Sequence, residues 1–377
     1  MSGTSLDGLD IAYCQIHHAG TRTELELKHF LTIPYDEHFK NAIRKIFAKR
    51  QIDLQDLCTL NPYIGLKHGE MILEALKQWG LTKQDVDLIA SHGQTIFHAP
   101  KKQHQLPGLP NSTLQIGDGD HIAVTTGITT LSDFRQKHIA SGGEGAPLAV
   151  YGDYYLFSKK GEHRILLNMG GIANFTYLSD DQNPQSIFTT DTGPGNTLID
   201  AYMRRYFHLP FDENGAAAAK GTVNEKLLEI LKSHSFFNSS FPKTTGPEVF
   251  NLDYVSDAIS KSGISNLTRN DVIATLTQFS ATTIVDAILK IKPDGKNLKL
   301  YASGGGAHNV VLMRTIKELL PESQVLPLDS LGVPGDAKEA VLFAVLANEA
   351  IAGTELLNPH ANLGIPNVSM GKISFPN

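Results

Sequence analysis

Three times along this 377-residue chain an apolar run ends in a glycine cluster: residues 86–90 before Ser91-His-Gly93, 164–168 before Met169-Gly-Gly171, and 298–302 before Ser303-Gly-Gly-Gly306. An apolar strand, a glycine turn and then a polar or helical segment is how an α/β protein presents strand ends to a ligand. Helical periodicity at 39–49, 70–79, 196–207, 272–291, 311–320 and 338–352 supplies the alternating helices. The expected fold class is therefore α/β, with mixed, mainly parallel sheets flanked by helices. Two places depart from alternation. Residues 9–17 and 24–32 read as adjacent strands, and 165–168 with 172–178 read as a hairpin closed by Gly170-Gly171. A hairpin with a glycine-bearing loop thus opens each half.

The length is too great for one ordinary core, so two domains are expected, with a boundary near residue 135. Gly142-Gly-Glu-Gly-Ala-Pro147 reads as a hinge or crossover, and the tail from Asn358 to Asn377 as a return over the surface. Hydrophobic residues at 41% and charged residues at 19% describe a globular protein. The net charge of −6 and the lack of a basic stripe argue against nucleic acid as a partner. Cys14 and Cys58 have no zinc or disulfide spacing, and Cys14 reads as a small core residue. Neither a signal peptide nor an apolar run near the ~18–20 residues of a membrane span is read. A cytoplasmic protein with no membrane partner is expected.

Four motifs carry chemistry. In Gly3-Thr-Ser-Leu-Asp-Gly-Leu-Asp10 the glycines permit a tight turn whose N–H groups and Thr4 and Ser5 hydroxyls can face an anion. Asp7 and Asp10 could hold Mg²⁺, although a solvated turn would read the same. Asp191-Thr-Gly-Pro-Gly-Asn196 follows the strand-like residues 186–190, which makes Asp191 a general-base candidate and Asn196 the cap of a helix from Thr197. Ser303-Gly-Gly-Gly-Ala-His-Asn309 offers bare backbone to a flat ligand, or is simply a tight turn. Ser91-His-Gly-Gln-Thr-Ile-Phe-His98, residues 114–118 and Ser132-Asp-Phe-Arg135 suit a hydroxyl- and amide-rich ligand. His92 and His98 lack the spacing of a helical zinc pair.

The order of these features looks like the actin, hexokinase and Hsp70 superfamily. Within it, Met1-Ser-Gly-Thr-Ser-Leu-Asp-Gly8, Ser91-His-Gly-Gln-Thr95, Leu114-Gln-Ile-Gly117, Asp133-Phe-Arg135, the 142–147 segment, residues 168–174, Asp191-Thr-Gly-Pro-Gly-Asn196 and Gly304-Gly-Gly306 resemble the anhydro-N-acetylmuramic acid kinases. The resemblance implies two actin-like (ribonuclease H-like) domains, 1–135 joined by a tail at about 353–377, and 136–352, with ATP in the cleft. It also implies the reaction of 1,6-anhydro-N-acetylmuramic acid, ATP and water to N-acetylmuramic acid 6-phosphate and ADP, in peptidoglycan recycling.

On that resemblance Asp191 is the base. Gly3, Thr4, Ser5, Leu6, Asp7, Gly8, Leu9 and Asp10 hold the phosphates and Mg²⁺. Gly304, Gly305 and Gly306 flank the adenosine, with Gly170, Gly171 and Asn309 also on the ATP side. His92, Gln94, Asp133, Arg135 and Glu339 orient the sugar, Arg135 being the natural carboxylate partner. The small sugar is the expected partner, and a homodimer is left open. Three departures stand out. The family's short apolar strand ahead of Met-Ser-Gly is missing, Glu144 replaces a usual Gln, and Pro247 replaces a usual basic residue. Either Met1 is not the true start or later strands alone hold the 3–8 loop. A kinase of another small sugar, or a truncated non-catalytic ATP-binding paralogue, is the alternative reading.

Overall fold

The structure, a computed structural model, describes residues 1–291, 298–353 and 368–377. It divides into two compact units, Met1–Phe157 with Gly332–Asn377, and Ser158–Leu331. The expected boundaries at 135 and 352 are displaced, because helix Lys338–Ala352 packs on helix Ala149–Phe157. Gly152 permits that approach, since a Cβ there would lie 2.3 Å from Leu342 Cδ1. Lys338 Nζ also pairs with Asp153 at 2.8 Å. The 142–147 segment accordingly lies inside the first unit. Residues 354–367 of the expected tail fall outside the described residues.

In the first unit β1 (Gly8–His17) and β2 (Glu24–Pro34) form an antiparallel hairpin with a bulge at Tyr13/Cys14. A three-stranded sheet is built from β3 (Ile89–Ala90), β6 (Thr130–Ser132) and β12 (Lys372–Ser374), with β6 central. The pair β4 (Gln94–Ala99) and β5 (Ser112–Ile116) is a second antiparallel hairpin. The core gathers Leu6, Leu9, Tyr35, Phe39, Ile43, Ile64 and Ile116. Asp36 and Asp53 start helices Glu37–Arg44 and Leu54–Gln78, each accepting a backbone N–H near the helix start. The second helix begins far earlier than the expected residue 70. Its Gly65 and Gly69 lie against helix Gly119–Thr126 and the residue before it, where a Cβ would come within 2.6 Å of Asp118 O and 2.9 Å of Thr125.

The second unit is a five-stranded sheet of β7 (His163–Met169), β8 (Ile172–Leu178), β9 (Phe188–Pro194), β10 (Leu298–Ser303) and β11 (Gln324–Pro327), in the order β11-β10-β7-β8-β9. Ile165, Leu167, Phe175, Ile284, Ile288 and Leu300 are fully buried around it. Helix Arg269–Ile291 is long and apolar enough to cross a membrane, contrary to the sequence expectation. Most of its residues are buried in this unit instead. The α/β class with mixed sheets and flanking helices stands. The balance differs from the expectation, because antiparallel ladders outnumber parallel ones among the described strands.

Candidate functional site

Asp191 lies within β9, opposite Asn174 of β8, where β8 carries a register shift. Its backbone N–H donates to Lys243 O at 2.9 Å, and its Oδ2 accepts the Thr245 N–H at 2.9 Å. Among the described residues that amide is the carboxylate's only donor. Burial pushes the Asp191 pKa up, opposed by the Thr245 hydrogen bond. A half-buried carboxylate with one oxygen held and the other open, and with raised proton affinity, is suited to taking a proton.

The 241–245 segment that holds Asp191 is itself anchored. Lys243 N–H donates to Thr190 Oγ1 at 3.0 Å, and Lys243 Nζ donates to Phe236 O at 2.8 Å. The ammonium sits 4.2 Å from the Phe236 ring centroid and 5.5 Å from that of Phe241. Burial, with Lys290 nearby, lowers its pKa to about 8.

Parallel pairing of β7 with β10 sets Asn168 beside Ser303, so both glycine turns leave one edge of the sheet. Asn196 ties them together. Its N–H donates to Gly170 O at 2.9 Å and its Nδ2 to Met169 O at 3.1 Å, while Gly195 and Thr197 N–H groups reach Gly171 O. The expected side-chain cap of helix Thr197–Tyr206 is absent because this side chain is committed to the turn. Gly304 and Gly305 differ in kind. Gly304 has φ of +80°, and a Cβ would lie 2.6 Å from Asn168 Oδ1 and 2.9 Å from Met169 backbone. Gly305 is exposed, and its nearest neighbour to a Cβ would be Asn196 Nδ2 at 3.6 Å. Gly171 is likewise exposed and open. These bare backbone surfaces fit a nucleotide lying flat against them.

In the first unit the 3–8 loop turns over a buried anchor. Leu6 is buried at φ of +59°, and Gly8 is packed so closely that a Cβ would lie 2.5 Å from Ile33 O. Thr4, Ser5 and Asp7 are exposed. The Asp7 carboxylate accepts Ser5 Oγ at 2.6 Å and Gly8 N–H at 3.1 Å, which lowers its pKa. Tyr35 N–H donates to Asp7 O, and Gln94 Nε2 to Gly3 O. Later strands therefore do grip the loop, with Ser2 bridging Leu9 and Gln94. Among the described residues no group of three His, Cys, Asp or Glu side chains could hold a metal. A Mg²⁺ arriving with a nucleotide needs only one or two carboxylates, and Asp7 and Asp10 are those the loop offers.

Arg135 is half-buried. Its Nε donates to His92 Nε2 at 3.0 Å and its Nη1 to Gly145 O at 2.6 Å. Among the described residues no carboxylate lies within ion-pair distance of it, although the charge of Glu339 is felt there. His92 is held neutral by burial, which lowers its pKa to about 3, so its Nδ1–H donates to Gly93 O while Nε2 accepts from Arg135. Asp133 takes a left-handed backbone conformation, φ 54° and ψ 47°, and its carboxylate pairs with Lys372 of β12. A half-buried guanidinium with no carboxylate at ion-pair distance among the described residues is chemically able to pair with an anion.

A family profile described as anhydro-N-acetylmuramic acid kinase matches residues 1–374. The chain belongs to that family. A protein of the same description from Pseudoalteromonas atlantica is 54% identical over all of this chain and 94% of its own length. One from Caldanaerobacter subterraneus subsp. tengcongensis is 40% identical, covering 96% of its length, and one from Bacillus cereus is 36% identical, covering 98%. The chain is thus of a kinase family that uses ATP.

For this kinase the expected site residues part by what their side chains do. Gly170, Gly171, Gly304, Gly305 and Gly306 come together around Asn196, and Arg135 and His92 are joined directly. Burial lowers the Arg135 pKa, and exposed Glu339 is near enough to oppose that shift. His92, Gln94 and Asn309 spend their side chains inside the protein. Gln94 is fully buried, bonded to Ser2, Gly3 O and Thr95 O, and Asn309 Oδ1 caps helix Val310–Leu319. Leu6 and Leu9 enter the core, leaving only backbone for a ligand, and Asp10 accepts Thr32 Oγ1 at 2.6 Å. Glu144 pairs with Lys102 at 2.8 Å. Thr245 and Lys243 were missed as supports of Asp191. Thr245 acts through its backbone N–H from 54 residues away, which leaves no imprint on residue type.

Proposed function

We propose that this chain opens 1,6-anhydro-N-acetylmuramic acid with water and phosphorylates its O6, giving N-acetylmuramic acid 6-phosphate. The carrying observation is the half-buried Asp191 carboxylate, held by one amide and raised in pKa. Asp191 takes a proton from water as the water oxygen bonds to the anomeric carbon. The C1–O6 bond breaks, and O6 takes a phosphoryl group instead of a proton, so no separate general acid is needed. ATP, when bound, supplies that phosphoryl group, and Mg²⁺ supplies positive charge to its oxygens.

The remaining roles belong to the chain's own groups. Gly171 and Gly305 offer open backbone to the nucleotide. The exposed turn at residues 3–8 offers Thr4, Ser5 and Asp7 to its phosphates and metal. Arg135, with no carboxylate of its own, binds the sugar's lactyl carboxylate through two parallel N–H bonds. His92 fixes the guanidinium's orientation, exposed Glu339 is left for sugar hydroxyls, and Asp133 offers them the carboxylate oxygen that Lys372 does not hold. A reaction that consumes ATP suits the cytoplasm, which is the compartment we assign to it.

The test is a coupled ADP assay over anhydro-N-acetylmuramic acid, N-acetylglucosamine and glucose, with the product's phosphate position determined. ADP formation strictly dependent on the anhydro-sugar, with phosphate at O6, is expected. Equal turnover of glucose would refute the substrate assignment.

A further inference from the structure

Ser2, Tyr35, His68 and Gln94 are all buried in the first unit, and each comes from a different part of it. Ser2 precedes the 3–8 turn, Tyr35 follows β2, His68 lies in helix Leu54–Gln78, and Gln94 starts β4. Their side chains form one unbroken run of hydrogen bonds. His68 Nε2 and Tyr35 Oη are 2.8 Å apart, Tyr35 Oη and Ser2 Oγ are 2.7 Å apart, and Ser2 Oγ reaches Gln94 Oε1. Gln94 Nε2 then reaches Gly3 O at 3.3 Å and Thr95 O at 3.2 Å.

The supply of protons fixes the direction of this run. One end of the Gln94 amide faces two carbonyl oxygens, which only accept, so that end is the NH₂ and Oε1 faces Ser2. Ser2 therefore donates its single proton to Gln94 and accepts from Tyr35. Tyr35 spends its own proton on Ser2, so its oxygen accepts from His68, which is the Nε2–H tautomer. Two further observations agree. Among the described residues the buried His68 Nδ1 has no partner, which in this tautomer leaves a bare lone pair rather than a stranded N–H. Burial lowers the His68 pKa to about 3, so the ring stays neutral.

The run ends on the carbonyl that closes the exposed turn. Gly3 O accepts the Leu6 N–H at 3.4 Å, a long bond for the turn's own closure. Thr4, Ser5 and Asp7 are exposed, so the entry of the turn is fixed from the protein side, by Gln94 on Gly3 and by Tyr35 on Ser2. Tyr35 also holds the exit, its N–H donating to Asp7 O at 3.0 Å. One residue thus grips both feet of the turn, with its side chain at the entry and its backbone at the exit. Its ring packs on Phe39 and His68 at centroid distances of 4.7 and 6.1 Å, contacts that a phenylalanine would keep.

We infer that Tyr35 and His68 are positioning residues whose donor chain holds the 3–8 turn in the shape that receives the phosphates of ATP. The inference rests on the proposed role of that turn. A turn already ordered loses little freedom when the nucleotide arrives, so breaking the chain weakens phosphate binding in particular. The Arg135 fork and Asp191 are not part of the chain.

The test is calorimetric binding of ADP with Mg²⁺ and of adenosine, together with initial rates over ATP and sugar concentration. Tyr35→Phe removes only the hydroxyl. It is expected to raise the Kd for ADP and the KM for ATP about tenfold, while the adenosine Kd and the sugar KM hold. His68→Leu should do the same, and His68→Gln, whose amide offers an N–H near the Nε2 position, should restore most of the loss. A His68→Gln protein as impaired as His68→Leu overturns the donor role of His68. A lower Tm with ADP binding and both KM values unchanged reduces the run to a core network and overturns the inference. Equal weakening of ADP and adenosine overturns it too, because the turn would not then act through phosphate. Should Tyr35→Phe not fold, Ser2→Ala carries the same expectations. Thr4→Ala combined with Ser5→Ala separates the two readings. If that pair weakens ADP and Tyr35→Phe does not, the turn binds phosphate without this support; if neither does, the phosphate role of the turn falls as well.

Discussion

Replacing Gly304 and Gly305 by alanine, one at a time, separates glycine kept for the fold from glycine kept for a ligand. At Gly304 the backbone has φ 80° and ψ 172°, a region costing a side-chain-bearing residue about 1–3 kcal/mol. The added methyl would also lie 2.9 Å from Met169 backbone, which must shift at a further cost of about 1–3 kcal/mol. Gly304→Ala should therefore lose at least about 2 kcal/mol, or roughly 4–8 °C in Tm for a unit of this size. At Gly305 the methyl meets only Asn196 Nδ2 at 3.6 Å, an ordinary contact, so Tm should hold. If nucleotide lies against that backbone, the methyl occupies its place, and KM for ATP should rise about tenfold, or ~1.4 kcal/mol. Differential scanning calorimetry and initial rates over ATP concentration measure the pair. A Gly304→Ala protein as stable as the parent would refute the packing account. A Gly305→Ala protein with normal KM for ATP would remove that surface from the nucleotide site.

Asp191→Asn should lower kcat by ~10²–10⁴ while ATP still binds by calorimetry; near-normal turnover excludes Asp191 as base. Because burial raises its folded pKa above the ordinary 3.8, Asp191 contributes stability below that value and loses it as pH rises through the folded pKa. The Asn variant should thus exceed the parent in Tm at neutral pH, with the gap closing below pH 3.8, and kcat/KM of the parent should fall on an acid limb above 3.8. Lys243→Met, which frees the segment holding Asp191, should cost roughly ten- to hundredfold in kcat with KM nearly kept, and Lys243→Arg should restore part of it. Arg135→Lys keeps the charge but loses the fork, so KM for the sugar should rise about tenfold while KM for ATP does not.

The chain's own order of residues determined the class of fold and where open glycine backbone would lie. Apolar runs ending in Gly170-Gly171 and Gly304–Gly306 became β7 and β10, and the Asp191 motif became β9, because such patterns are local. Helices at 272–291 and 338–352 were legible for the same reason. Tertiary structure decided what locality cannot express. Helix Leu54–Gln78 runs through Pro62, Gly65 and Gly69, residues of low helix propensity, and close packing at Gly65 and Gly69 explains the glycines. The boundary at 157 rather than 135 follows from packing between segments nearly two hundred residues apart in sequence. His92, Gln94 and Asn309 bear the polar groups of ligand-binding residues, yet burial and partners from other elements turned those groups inward. Thr245 reached Asp191 through a backbone N–H that every residue but proline carries, so only the folded chain could single it out.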